Sequence, residues 1–256
     1  MSEAPDARPA VQNREAPHPQ PPAVQRLRIR YAKRGRMRFA SVRDFQRALE
    51  RALRRAGLPM AYSQGFSPHP KISYLPAVPT GVASEAEYVE IALQERRDPD
   101  EVAAALDVAL PDGLDVLRVV EGSGASLGER LTGPPAASSW RFVFAGVDSA
   151  TLEGAVAAVL ALTELRVPRT TKSGRTEIDV RAALISADVR DTPEADGACA
   201  ILQAVVRHGT PSVRPDDVLA GLRDVAGLTP PVPVVATRLA QGLLDEETGT
   251  VLDPLT

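Results

Sequence analysis

Residues 26–31 read Arg-Leu-Arg-Ile-Arg-Tyr, a strict alternation of basic and apolar side chains. Successive side chains of a β-strand point to opposite faces. This period of two therefore predicts a strand that buries Leu27, Ile29 and Tyr31 and turns its arginines to the other face. The alternation resumes after Gly35 over residues 36–39, which predicts a hairpin or a bent strand. The folded part of the chain is thus expected to begin with a β-strand.

The segment that follows has the spacing of an amphipathic helix. Ser41 and Asp44, three residues apart, resemble a capping box, and Gly57 supplies a C-terminal stop. Apolar residues recur at helical intervals between them and form one stripe, while arginines line another face. We predict a helix over about 42–56 with a basic exposed side.

The order of predicted elements is strand, helix, strand, strand, helix, strand, and it occurs twice. This order is typical of the ferredoxin-like arrangement, in which an antiparallel sheet carries both helices on one face. In the second half, one strand is expected to start at 164 and continue through a loop to 181, and the next to cover 199–207. We predict an α+β protein of two tandem ferredoxin-like domains. The expected divisions are a disordered proline-rich tail at 1–25, a basic domain at 26–121, a linker at 122–138, a second domain at 139–245 and a C-terminal tail at 246–256.

Composition excludes several classes of protein. Cys199 is the only cysteine among 256 residues, so a disulfide framework, a multi-cysteine zinc site and a cysteine-bound iron–sulfur cluster are excluded. No apolar run reaches the roughly 18 to 20 residues of a membrane span, and the first 25 residues lack the apolar core of a secretory signal. We expect a cytoplasmic protein with no membrane association, no metal and no cofactor.

Charge is distributed unevenly along the chain. The formal net charge is −3, yet residues 26–75 hold 13 Lys and Arg against two acids, a net of +11 that leaves −14 for the rest. A basic patch on one face is the electrostatic footprint of a nucleic-acid binder. The alternative is a solvated surface paired with acids of the second half. The arginines expected to hold phosphates are Arg28, Arg30, Arg36, Arg38, Arg43 and Arg47.

Two loops add candidate binding residues. In the loop 62–71, Tyr62 and Phe66 are predicted to stack on bases, and Lys71 to meet a phosphate. His69 in the same loop is a candidate general acid or base, although no second histidine supports it and a loop hydrogen bond is the commoner role. In the basic segment 169–181, a phosphate clamp that uses Lys172 and Arg175 and a solvated hairpin tip are equally favoured.

Four segments carry a resemblance to a known family. They are RMRFASVRD at 36–44, RALRRAGLP at 51–59, YSQGFSPHPK at 62–71 and GVASEAEY at 81–88. They resemble the bacterial radical-SAM-associated family of unknown function, whose members are fused to the C-terminus of radical SAM enzymes or encoded beside them. In that family the position of residues 40–42 commonly reads Leu-Ser-His, so this chain lacks a histidine there. More distantly, the element order is similar to paired ferredoxin-like RNA-binding proteins, among them CRISPR RNA-processing endoribonucleases.

The resemblance implies an accessory protein that acts with a radical SAM enzyme. Combined with the basic segment, it leads us to expect a non-catalytic protein that binds RNA or presents an RNA or a translation-related substrate. Two alternatives stay open. One is a protein-interaction module that docks on an acidic partner enzyme without RNA, and the other is a weak endoribonuclease that uses His69.

Overall fold

A computed structural model describes residues 21–123, 127–133, 136–171, 174–191 and 198–256. The expected tail over 1–25 falls largely outside these residues, and its last residue already belongs to the first strand. The strands are β1 Gln25–Lys33, β2 Ile72–Tyr74, β3 Ala83–Leu93, β4 Leu114–Glu121, β5 Ala136–Ala145, β6 Arg166–Thr171, β7 Gly174–Asp179, β8 Leu184–Asp191, β9 Cys199–Arg207, β10 Val235–Asp245 and β11 Thr250–Val251. The helices are α1 Val42–Arg55, α2 Pro99–Ala109, α3 Leu127–Thr132, α4 Ser149–Leu160, α5 Val180–Ala183 and α6 Pro215–Ala226.

The alternating strand lies at the centre of the first half. β1 pairs antiparallel with β3 on one side and with β4 on the other. β2 pairs with the C-terminal half of β3. Leu27 and Ile29 are fully buried, as the period of two predicted, and they pack with Leu53 of α1 and Leu106 of α2. The first apolar core therefore lies between this part of the sheet and these two helices.

The start of α1 is fixed by local hydrogen bonds. The Ser41 hydroxyl accepts a hydrogen bond from the Asp44 amide at 3.2 Å, and the Asp44 carboxylate accepts one from the Ser41 amide at 3.3 Å. This reciprocal arrangement satisfies two amides that the first turn of a helix leaves without partners. The predicted capping box and helix are confirmed.

The second half forms its own core and joins the first half in one sheet. The strand order is β4-β1-β3-β10-β5-β9-β8, with Phe142, Leu152 and Leu202 in the second core. β3 and β10 are parallel neighbours, with Arg238 opposite Ser84, and the other described pairs are antiparallel. The α+β class and the largely antiparallel sheet are confirmed. Two tandem ferredoxin-like domains stay a prediction.

Two local predictions were wrong, and one strand was not predicted. Residues 35–39 form a short 3-10 helix instead of a strand, because Gly35 has a φ of 50° and the Met37 and Ala40 amides bond three residues back along the chain. The strand expected over 164–181 is instead the hairpin β6–β7, which ends in the one-turn helix α5. β8, the edge strand beyond β9, was not predicted.

The sheet face that carries the β1 arginines was expected to be open, and it is covered. Ala86 and Tyr88 lie on that face of β3 and pack against Leu127 and Leu131 of α3 and against Leu255 near the C-terminus. The covering segments begin 94 residues after the end of β1, so periodicity within β1 carried no information about them. As a result, β1 is buried on both faces over most of its length.

Candidate nucleic-acid interface

The arginines of β1 are held by acids and carbonyls of the protein itself. Arg28 lies opposite Glu90 in the antiparallel register, and its Nε donates to the Glu90 carboxylate at 3.1 Å with only 7% of the arginine side chain exposed. Arg30 donates from Nε to the Glu85 carbonyl at 2.8 Å and lies 3.7 Å from the Asp253 carboxylate. Of the six arginines expected to hold phosphates, these two are therefore the least available.

The arginines of α1 have a different environment. Arg43, Arg47, Arg51 and Arg54 are exposed and recur at intervals of three or four residues, which places them along one side of the helix. Among the described residues, none of the four has a carboxylate within ion-pair distance. The helix contains two acids, Asp44 and Glu50. Asp44 is engaged with Ser41, whose hydrogen bonds lower the Asp44 pKa, and the charge of Arg47 lowers it further. We call these four residues the α1 arginine stripe.

Arg36 and Arg38 lie on the 3-10 helix that precedes α1, not on the sheet face where the sequence placed them. Arg36 is exposed. Arg38 is half-buried, with its guanidinium 4.7 Å from the centre of the exposed Phe39 ring, a distance suited to a cation–π contact. Arg36 is thus open to a ligand, while Arg38 is partly engaged.

In the loop over residues 62–71, hydrogen bonds join the two ends, and the tip carries an exposed aromatic side chain. Tyr62 bridges to Pro70, the Ser63 amide donates to the His69 carbonyl at 2.8 Å, and the His69 amide donates back to the Ser63 hydroxyl at 3.0 Å. These bonds present Phe66 with 71% of its surface exposed. Tyr62 is half-buried against the first core, so its ring is less available than that of Phe66.

Lys71 and His69 are both exposed at the base of this loop. Among the described residues, the His69 side chain has no hydrogen-bond partner and no second titratable group is held against it. A general acid or base is usually positioned within hydrogen-bond reach of a second group. The catalytic role of His69 therefore remains an alternative without a geometric partner.

The basic segment 169–181 is mostly structural. Arg169 of β6 pairs with Asp217 of α6 in a buried ion pair and donates to the Ser212 carbonyl at 2.9 Å. Arg181 donates to the carbonyls of Leu160, Leu162 and Leu184. Arg175 is exposed, and Lys172 lies outside the described residues. Within the described part of this segment, Arg175 is the predicted residue that faces solvent.

Sequence reasoning missed a pocket where the two parts of the sheet join. It has a volume of about 490 Å³ and is lined by residues of both halves. His208 directly follows β9, and its Nε2 lies 2.7 Å from the Ser138 hydroxyl. The available signal was Arg238, a single cation within the largely apolar strand β10. The polar lining is made of Lys33, Thr80, Ser138, His208, Ser212, Arg214, Arg238 and Gln241.

No described helix is both long and apolar enough to cross a membrane. Within the described ranges, His, Cys, Asp and Glu side chains do not gather in groups of three or more that could hold a metal ion. Fold and surface together define an α+β protein with one largely antiparallel sheet and an arginine-rich helix face.

The chain belongs to the family of uncharacterized proteins conserved in bacteria, DUF2344, whose model matches residues 26–215. A comparison with curated proteins finds no match. The family match covers β1, the α1 arginine stripe, the loop 62–71 and most of the pocket lining, but not Arg238 and Gln241.

Proposed function

We propose that the protein binds RNA through the α1 arginine stripe and the loop 62–71, and that it is the non-catalytic partner of an enzyme. The observation that carries the proposal is the contrast between paired and unpaired arginines in adjacent segments. Guanidinium groups that form no ion pair among the described residues, held on one exposed helix side, favour a polyanionic ligand.

The dimensions of the stripe suit a nucleic-acid strand. Arg43 and Arg54 are 11 residues apart, which corresponds to about 16 Å along a helix, enough to meet several successive phosphates. Two further exposed cations flank the stripe in sequence, Arg36 before it and Lys71 after it. The negative net charge of the whole chain does not oppose this, because the acids lie mostly elsewhere.

Phe66 gives a reason to prefer RNA to a generic polyanion. An exposed aromatic ring at the tip of a braced loop is a platform on which an unpaired base stacks, and such stacking is tolerant of sequence. We therefore propose single-stranded or loop regions of RNA as the ligand. The proposed partner is a radical SAM enzyme, and it rests on the resemblance of the segments at 36–44, 51–59, 62–71 and 81–88.

We also propose that each half is a ferredoxin-like unit. In support, the first half pairs its strands in the order β4-β1-β3-β2 and the second in the order β10-β5-β9-β8, with α1, α2, α4 and α6 in the connections. Interstrand nuclear Overhauser contacts that pair β2 or β8 with other strands would contradict this.

The test of RNA binding is a fluorescence-anisotropy titration of a labelled single-stranded RNA at low salt. The variant Arg43→Glu/Arg47→Glu/Arg51→Glu should lose affinity by about 100-fold. The matched control, Arg96→Glu/Arg141→Glu/Arg223→Glu, changes three exposed arginines outside α1 and carries the same change in net charge. It should retain affinity within about threefold.

Two outcomes would overturn the proposal. One is absence of binding at low salt, and the other is an equal loss in both triple variants. If RNA does not bind while a nucleic-acid-free complex with the partner enzyme is disrupted by the α1 reversals, the stripe is a protein-docking surface instead.

A further inference from the structure

The pocket between the two halves has the features of a ligand site. It lies beside the contact of β3 with β10. Its walls come from the end of β1, from residues 40 and 42 at the start of α1, from residues 76–80, from β5, from the end of β9, from the start of α6 and from β10. Its volume of about 490 Å³ lies within the range of small-molecule sites. Trp140, Val78 and Val206 supply apolar wall.

The charge of this pocket is one-sided. Lys33, Arg214 and Arg238 line it together with His208, and no Asp or Glu is found among its described lining residues. The Arg238 guanidinium pairs at 2.5 Å with Glu87, which lies behind the wall, so that cation is compensated. Lys33 is 94% buried with its Nζ 3.0 Å from the Ala40 carbonyl, and among the described residues no carboxylate lies within 4 Å of it.

Two buried polar atoms of the lining lack partners. The Arg238 Nε–H and the Gln241 Oε1 have no hydrogen bond among the described residues, although Arg238 and Gln241 are 94% and 98% buried. Buried donors and acceptors are almost always satisfied, so an exception calls for an explanation. An anionic ligand would accept a hydrogen bond from the Arg238 Nε–H, whereas the Gln241 Oε1, itself an acceptor, would need a hydroxyl or N–H group of the ligand. The Gln241 Nε2 donates to the Leu131 carbonyl at 3.1 Å, which fixes the orientation of the amide.

Ser138 and His208 complete the polar wall. Burial lowers the pKa of His208, and the charge of Arg238 lowers it further against a smaller opposing effect of the Leu131 backbone. The imidazole is therefore neutral near pH 7, and its contact with the Ser138 hydroxyl is an uncharged hydrogen bond. Burial lowers the pKa of Lys33, and the charge of Glu87 opposes that effect. Glu87 thus acts on both Arg238 and Lys33, so one carboxylate stands against the three cations of the lining, Lys33, Arg214 and Arg238.

We propose that this pocket binds a small organic anion, a carboxylate or phosphate group joined to an apolar body about the size of one ring. The ammonium of Lys33 holds the anionic group, since two of its three N–H donors are not used by the Ala40 carbonyl. Trp140 and the valines contact the apolar body. This inference is independent of the proposed RNA interface, which lies on the exposed side of α1.

Trp140 makes the test direct, because it is the only tryptophan of the chain and it lines the pocket. Intrinsic fluorescence is followed while the full-length protein is titrated with benzoate, phenyl phosphate or inorganic phosphate, and with neutral benzyl alcohol as the control. We expect a saturable change with benzoate or phenyl phosphate. Inorganic phosphate should bind more weakly, and benzyl alcohol should give no saturable change. Benzoate and phenyl phosphate distinguish a carboxylate site from a phosphate site.

Variants connect the signal to the pocket. Lys33→Met keeps the length of the side chain and removes its charge, and it should weaken binding by at least about tenfold. Arg190→Met, at an exposed arginine outside the pocket lining, should not change binding. If Lys33→Met does not fold, as judged by thermal unfolding, Arg214→Gln takes its place and should likewise weaken binding, because Arg214 is an exposed cation of the lining.

The proposal is overturned if neither benzoate nor phenyl phosphate gives a saturable change up to about 10 mM. It is also overturned if benzyl alcohol binds equally well, or if the pocket variants bind as the unaltered protein does. None of these results bears on RNA affinity, so failure here is distinguishable from failure of the proposed function.

Discussion

The arginines of β1 and those of α1 are close in sequence, but the fold pairs the former with acids and carbonyls and leaves the latter exposed. Arg28 faces Glu90 across two strands and is nearly enclosed, whereas Arg47 stands on an exposed helix side. Both sets count equally toward the net charge of residues 26–75. They differ because the strand register places an acid opposite Arg28. The difference teaches that a basic segment is evidence of binding only for those cations that the fold leaves without acids.

The two sets also differ in what their removal should do. A buried cation has lost its hydration and depends on its carboxylate, so breaking the pair leaves an uncompensated charge. An exposed cation keeps its water, so its loss hardly changes stability. Removing a paired arginine should therefore lower the stability of the protein, whereas removing an arginine of the α1 arginine stripe should lower the affinity for RNA.

The largest effect is expected from breaking the most enclosed pair. Arg238 and Glu87 have side chains only 7% and 1% exposed, so Arg238→Met should lower the free energy of unfolding by about 3–5 kcal/mol, measured by urea denaturation. Adding Glu87→Gln should restore a large part of that loss. The contrast is Arg47→Met on α1, expected to change stability by less than about 0.5 kcal/mol. Equal losses of stability in Arg238→Met and Arg47→Met would contradict the distinction between ion-paired and exposed arginines.

A smaller effect on stability, without an effect on binding, is expected at Glu90. Glu90→Gln removes the negative charge that faces Arg26 and Arg28 and should cost about 1–2 kcal/mol of unfolding free energy. RNA affinity should stay unchanged in the same protein, because β1 is covered by α3 and the C-terminal segment. Weaker or tighter RNA binding by this variant would show that the β1 face takes part.

Phe66→Ser should have the opposite profile. Loss of one stacked base should weaken RNA binding by about tenfold, measured by anisotropy, while thermal unfolding stays unchanged because the ring is exposed. Val108→Ser is the matched control, since Val108 is exposed on α2 and lies outside the loop. A loss of affinity in both variants would point to a general effect of surface composition.

The smallest effect is a pH dependence of stability at His208. Because burial lowers the His208 pKa below its ordinary value of 6.5, the unfolded chain takes up the proton first as the pH falls. The free energy of unfolding should therefore decline below about pH 6.5, and the decline should be shallower in His208→Asn. Urea denaturation between pH 7.5 and pH 5, above the carboxylate range, measures both slopes. Parallel slopes in the two proteins would show that His208 is not responsible.

The parts of the fold that depend on neighbouring residues were predictable from the sequence. The burial of Leu27 and Ile29 follows from a period of two, and the start of α1 follows from Ser41 and Asp44, three residues apart. The failures were local conformations such as residues 35–39, where hydrogen bonds three residues apart compete with strand pairing.

The candidate sites depended on long-range contacts and were less predictable. Arg28 and Glu90 are 62 residues apart, and Ser138 and His208 are 70 residues apart. The pair of Arg238 with Glu87 spans 151 residues and needs the parallel contact of β3 with β10. No periodicity within one segment encodes these partners, so the sequence identified the basic residues without separating the paired from the exposed.

The most direct test of the central claim is the salt dependence of RNA affinity. Each phosphate that a cation neutralises on single-stranded nucleic acid contributes about 0.7 to the slope of log affinity against log salt. Arg43→Gln/Arg47→Gln/Arg51→Gln should therefore reduce that slope by about 2, whereas Arg96→Gln/Arg141→Gln/Arg223→Gln should leave it unchanged. An unaltered slope in the α1 variant would contradict the assignment of the stripe as the phosphate-binding surface.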